Sequence, residues 1–166
     1  MTAFRSILTM ALTVACSPGS NADREFEGVQ SRGRVAMGVD QYTSTHLFQP
    51  RPDGGRIELQ RDRTDSAGRA QILRHLHAIA VAFDSGNFSI PGFVHAREVP
   101  GTQVMAARRN EIGYAVESLP RGGALRLISR DSLAISAIHS FLAFQRRDHR
   151  AGMHRDEELR PQDARP

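Results

Sequence analysis

The chain has no lysine and no tryptophan, and it has a single cysteine. All 22 basic residues are therefore arginines, scattered among 18 acidic residues rather than clustered. A sequence pI near 10.4 raises nucleic-acid binding, but interspersed charges give no basic stripe, so no nucleic-acid partner is expected. One cysteine excludes an internal disulfide framework. No Walker loop, Gly-x-Gly-x-x-Gly turn, Gly-x-Ser-x-Gly elbow or His-Glu-x-x-His helix occurs. No catalytic residues are assigned. The longest apolar run near the start, Ile7 to Ala15, is too short to span a bilayer stably.

What is present begins with an address. Residues 1–16 carry a positive start at Arg5, that short apolar run, and small residues before Cys16. The segment resembles a bacterial signal peptide. Leu12-Thr13-Val14-Ala15-Cys16 resembles a lipobox, which makes Cys16 the expected lipidation site and new N-terminus. Thr13 stands where leucine is usual, and a cut after Ala22 is the alternative. Ser17 after the cysteine points to an outer-membrane lipoprotein or periplasmic protein of a Gram-negative cell. Residues 17–36 are polar and aperiodic, and read as a flexible tether. Residues 37–152 read as a single domain. Residues 153–166 read as a disordered charged tail.

The domain repeats itself. Gly54-Gly55 matches Gly122-Gly123, and Ile57 and Leu59 then match Leu125 and Leu127. Arg56, Glu58 and Gln60 alternate with the first pair, the period of a half-buried strand. Upstream, Phe48 takes the place of Val116, His46 that of Tyr114 and Ser44 that of Ile112. Downstream, Asp65 or Ser66 and Asp131 or Ser132 each start a helix with a core-facing stripe. Setting Leu76 on Ile138 puts His77 on His139. The expected elements are strands at 43–49 and 55–61, a helix at 66–84, strands at 102–108, 111–118 and 123–129, and a helix at 132–150. The fold class is α+β, an antiparallel sheet of about five strands with two helices on one face, in the order ββα-βββα. The apolar connection at 85–101 is either a functional lid or a crossover covering a sheet edge. It and the helix-free sheet face are the expected contact surfaces.

Histidines are the one notable constellation. His75 and His77 point about 200° apart on a helix, and His139 and His149 stand about 15 Å apart along another, so any metal site must join different elements. The candidate set is His46, His75, His95 and His139, suited to zinc or copper(II). His46 on an inward face equally suits a hydrogen-bonded core histidine. Asp148, His149 and His154 form a second, looser cluster, with His149 and His154 expected in solvent. Arg108 and Arg109, at an expected hairpin tip, are candidates for anion binding. Ser89, Ser118 and Ser129 are the serines open to a hydrolase reading, with no oxyanion hole to support them.

The stretches MGVDQYTSTHLF, DGGRIELQRD, FVHAREVPGTQVMAARR and AIHSFLAFQRRDHRAG resemble an uncharacterised family of small secreted bacterial proteins with a lipoprotein-like signal peptide. The resemblance spans residues 37–152. It implies a single α+β domain behind a signal peptide and implies no activity. The resemblance implies a further helix histidine where this chain has Ala78, a departure that weakens a helix-borne chelate. The expected function is an extracytoplasmic, lipid-anchored binding or envelope-structural protein, with the membrane and an envelope protein as partners. The alternatives are a histidine-based zinc or copper binder and a small hydrolase.

Overall fold

A computed structural model describes residues 20–38 and 43–151. The expected signal peptide, Cys16 and the charged tail with His154 lie outside the described residues. The elements run α1 (Asn21–Met37), β1 (Ser44–Arg51), β2 (Gly54–Arg61), α2 (Ser66–Asp84), α3 (Ser89–His95), α4 (Thr102–Ala107), a 3-10 turn (Arg109–Glu111), β3 (Ile112–Leu119), β4 (Gly122–Ser129) and α5 (Ser132–Asp148). Among the described residues no helix is long and apolar enough to cross a membrane.

The fold is α+β, with one antiparallel four-stranded sheet in the order β1-β2-β4-β3. The two hairpins share one register. Ser44 faces Arg61 as Ile112 faces Ser129, and Arg51 faces Gly54 as Leu119 faces Gly122. The central pairing is symmetric as well: Gly55 faces Leu127, Leu59 faces Gly123, and Ile57 meets Leu125 between them. The paired glycines are needed where backbones crowd. A Cβ on Gly122 would stand 2.0 Å from the Leu59 carbonyl oxygen, and one on Gly54, at φ +130°, 2.2 Å from that of Leu127.

Each half then buries its helix on the other half's hairpin. α5 lies over β1 and β2, and α2 lies over β3 and β4. Ile138 and Leu142 press onto Gly55, while Leu73 and Leu76 press onto Gly123. Asp65 caps α2 by accepting from the Gly68 amide at 2.9 Å, and Asp131 caps α5 by accepting from that of Ala134 at 2.7 Å. Aligned on these caps, Leu76 corresponds to Leu142, one turn beyond the expected Ile138, and the His77–His139 match is lost. The connection before α2 is two residues longer than that before α5 and absorbs the shift.

Three expectations are corrected. There are four strands, not five: in place of the strand expected at 102–108, Thr102–Ala107 forms α4, with Met105 fully buried and Val104 42% exposed. Gln103 to Ala107 carries a helix-forming Ala-Ala pair, and β3 already pairs with β4. Gly101, at φ +86°, lets this turn close on the Ala137 carbonyl. No hairpin forms at Arg109-Asn110. Residues 21–37 form a helix rather than a flexible tether. Ser20 caps it, Gly38 ends it in the left-handed region, and Val29, Gly33 and Met37, four apart, are its buried stripe. The 85–101 connection holds α3, which packs on α1. The helix-free sheet face is roofed by its own ion pairs: Arg56 bridges Glu58 and Glu117, and Arg126 reaches Asp53 at 2.9 Å.

The glycine contacts generate a test. Gly55→Ala would place Cβ 2.2 Å from Leu142 Cδ1, and Gly123→Ala would place it 2.7 Å from Leu73 Cδ2. Overpacking of this kind costs about 1–3 kcal/mol. Urea denaturation is expected to show that loss in both variants, whereas Gly92→Ala, inside α3 and meeting only a carbonyl at 3.9 Å, should not destabilise.

Candidate functional site: a histidine-lined cavity

The sheet and helices leave one end of their shared core under the α1–α3 pair. β1 alternates, so His46 and Phe48 share the helix-side face. α2 brings His75 beside Leu76, Ile79 and Phe83. α3 ends on His95. The last turns of α5 bring Phe141, Gln145 and, past the helix end, His149, spaced by four. All of them line one cavity of about 70 Å³, partly open to solvent, with Gly33 and Met37 of α1 in its wall. Its lining is otherwise mostly apolar. Phe83 stacks on Phe88 at 4.4 Å and meets Phe141 edge-on at 5.8 Å behind it.

His149 sits among the other rings. Its centroid lies 5.8 Å from that of His46, 5.0 Å from that of His95 and 5.4 Å from Phe48. His95 is held at both nitrogens: Nδ1 bonds the Asp148 carboxylate and Nε2 lies 2.8 Å from Gln145 Oε1. Arg97 donates to the other Asp148 oxygen at 2.5 Å. His46 Nε2 lies 3.4 Å from Ser44 Oγ. Burial pushes His46 down to about 4, with the nearby His75 adding to the shift. Burial also lowers His75 to about 4, against a backbone hydrogen bond with Ala36 that works the other way. His149 is held well below the usual histidine range by burial, then by the charges His46 and His95 would carry. These three rings are therefore neutral at pH 7.

Of the candidate metal set, His46, His75 and His95 come together and His139 does not. His139 is half-buried on the outer flank of the α5 stripe, its Nε2 2.9 Å from the Arg51 carbonyl, where it ties the end of β1 to α5. His149 takes the fourth place, although solvent was expected for it. The signal was Gln145, a polar residue on the apolar stripe of α5, with His149 one turn further on the same face. Among the described residues no three histidine, cysteine or carboxylate side chains are placed to hold a metal. Arg108 is committed to Asp131 at 2.6 Å, and the Arg109 stem lies against Gly86, so the two do not form a shared anion cradle. Ser118 accepts from Arg69, and Ser129 donates to the Glu111 carbonyl at 2.7 Å. Neither these serines nor Ser89 line the cavity. The His95–Asp148 pair has both imidazole nitrogens occupied, which leaves no free base for a substrate proton.

The chain matches no known family profile, no curated protein and no solved structure.

The buried rings set a pH dependence. Their folded pKa values lie below the unfolded value near 6.5, so the unfolded chain binds protons that the folded chain does not. Stability is full above about pH 6.5 and falls toward about pH 4, by on the order of 3 kcal/mol each for His46 and His75, with His149 adding in the same direction. Urea midpoints are expected to drop already between about pH 7 and 5, where ordinary carboxylates stay charged. His46→Leu should remove roughly its share of that slope. A midpoint constant over this range would contradict the burial of these rings.

Proposed function

We propose that the protein is a non-catalytic binding module of the cell envelope and that the histidine-lined cavity takes its ligand. The observation that carries this is convergence: His46, His75, His95 and His149, from four separate parts of the chain, meet in one apolar cavity. Burying imidazoles costs stability that apolar side chains would not, and apolar pockets with a few convergent polar groups are the usual form of a small-molecule site. The enclosed space is about half of the roughly 150 Å³ that holds benzene in an engineered cavity. The ligand is therefore a small uncharged molecule, or one end of a larger one, with a group that hydrogen-bonds neutral imidazole. The signal-peptide character of residues 1–16 and the lipobox around Cys16 support a lipid anchor outside the cytoplasm. Stable anchoring takes more than one acyl chain. α1 begins five residues after Cys16, which would hold the domain close to the bilayer.

Zinc or copper(II) binding is the second reading. It is favoured by the His149 ring standing 5.0 and 5.8 Å from two neighbours, spacings that two imidazoles sharing one ion also show. Binding would require the rings to turn and His95 to release Gln145.

Methanol and ethane, similar in size and different in hydrogen bonding, fit a cavity of this volume and separate these readings when titrated against the full chain beside zinc and copper(II). The ligand-site reading expects saturable methanol binding, tighter than ethane by about two- to tenfold, with the preference lost in His149→Phe. Stoichiometric metal uptake lost in the same variant would favour the metal reading. Absence of saturable binding by all four probes would overturn both.

A further inference from the structure

Beside the cavity, on the outer side of His95, lies a second and more open groove of about 720 Å³. It runs between the first half of α1, the end of α3 and the end of α5. Arg24, Arg32, Arg97, Arg147 and Arg150 line it, against Glu25 and Asp148. Glu25 lines the groove and makes no ion pair among the described residues, while the two nearby aspartates are spent. Asp148 serves His95 and Arg97, and Asp23 at the rim serves Arg150 at 2.9 Å. Three guanidiniums have no carboxylate among the described residues. Arg24 donates to the amide oxygen of Asn21, Arg32 Nε donates to the Val94 carbonyl at 2.8 Å, and Arg147 stands over the Phe144 ring at 5.6 Å.

Their positions are built, not incidental. Phe144 carries Arg97 at 4.9 Å as well as Arg147, so one ring holds two like charges near each other. Phe26 carries Arg150 at 4.3 Å on the opposite side. Arg32 lies folded across Gly28, where a Cβ would stand 3.0 Å from its Nη1. A mid-helix glycine costs about 1 kcal/mol relative to alanine; here it leaves room for a guanidinium. Arg147 on the Phe144 ring, Arg32 held by the Val94 carbonyl and laid over Gly28, and Arg24 held by Asn21 keep planar donors at the groove, a chemistry that suits phosphate oxygens.

We infer that this groove binds a phosphate-class oxyanion, held by Arg24, Arg32 and Arg147. The chemistry is shared by two sources, a phospholipid headgroup and a soluble phosphate. This site stands independently of the cavity reading: it uses different side chains and a charged ligand.

The test uses the full chain in two arms. In one, it is co-sedimented with phosphatidylcholine vesicles with and without phosphatidylglycerol. In the other, inorganic phosphate is titrated and followed by the amide and arginine side-chain signals of α1 and α5. Binding that requires phosphatidylglycerol and weakens by about fivefold per substitution in Arg24→Gln, Arg32→Gln and Arg147→Gln identifies the headgroup. Saturable inorganic phosphate binding with the same variant pattern, and no vesicle preference, identifies a soluble source. Arg63→Gln removes a charge on the β2–α2 connection, outside the groove, and is expected to leave both unchanged. Binding in neither arm, or an equal loss in Arg63→Gln, would overturn the site.

Discussion

The structure depends on the close approach of helix to strand at Gly55 and Gly123. Only a residue without Cβ lets Leu142 and Ile138, or Leu73 and Leu76, come down onto the central strands. Because each helix covers the other half's hairpin, these contacts cross between halves. Neither ββα unit has a core of its own, and Ile57 and Leu125 meet where the halves join. The ties reinforce this. Arg69 of α2 donates to the Leu119 carbonyl at 2.9 Å, and His139 of α5 lies 2.9 Å from the Arg51 carbonyl, each linking a helix to the far hairpin.

The two halves are not finished alike. α4 seats Met105 and closes on α5 through Gly101, filling its side of the core. α1 and α3 cover the other side with Gly33, Met37, Pro91 and Val94 and leave the cavity. The differences between the halves at matching strand positions fit this. His46 stands where Tyr114 stands in the other half, and Tyr114 packs against Phe83 with centroids 5.9 Å apart while His46 faces the open space. One half makes core with the position and the other makes a site.

The hairpins were legible because two glycines and a period of two fix both turn and register, and the same spacing occurs twice. The helix caps were legible for the same local reason, an Asp one residue ahead of each helix. The rest was obscured by competing signals. Residues 102–108 carry Val104 and Met105 side by side, which a strand and a short helix accommodate equally; the burial of Thr102 and Met105, three apart, is decided by α5, which sequence does not display. α1 was hidden by Gly28 and Gly33, which lower helix propensity, and by a stripe only three residues deep. His149 was obscured because it stands past the end of α5, among charged residues that point to solvent, although it falls one turn beyond Gln145 on the same face. A polar residue on an apolar stripe marks buried polar structure, and here it marked the wall of the cavity.

What the rest hangs on is that a small, mostly apolar cavity keeps its buried imidazoles neutral. Nitrogen-15 spectra of the histidine side chains at about pH 6 test it most directly, since an exposed ring is largely charged there and a buried one is not. The account predicts that His46, His75 and His149 each show one protonated and one bare nitrogen at that pH. Imidazolium signals from these three rings would mean that water and protons reach them freely, and the cavity as described would not exist.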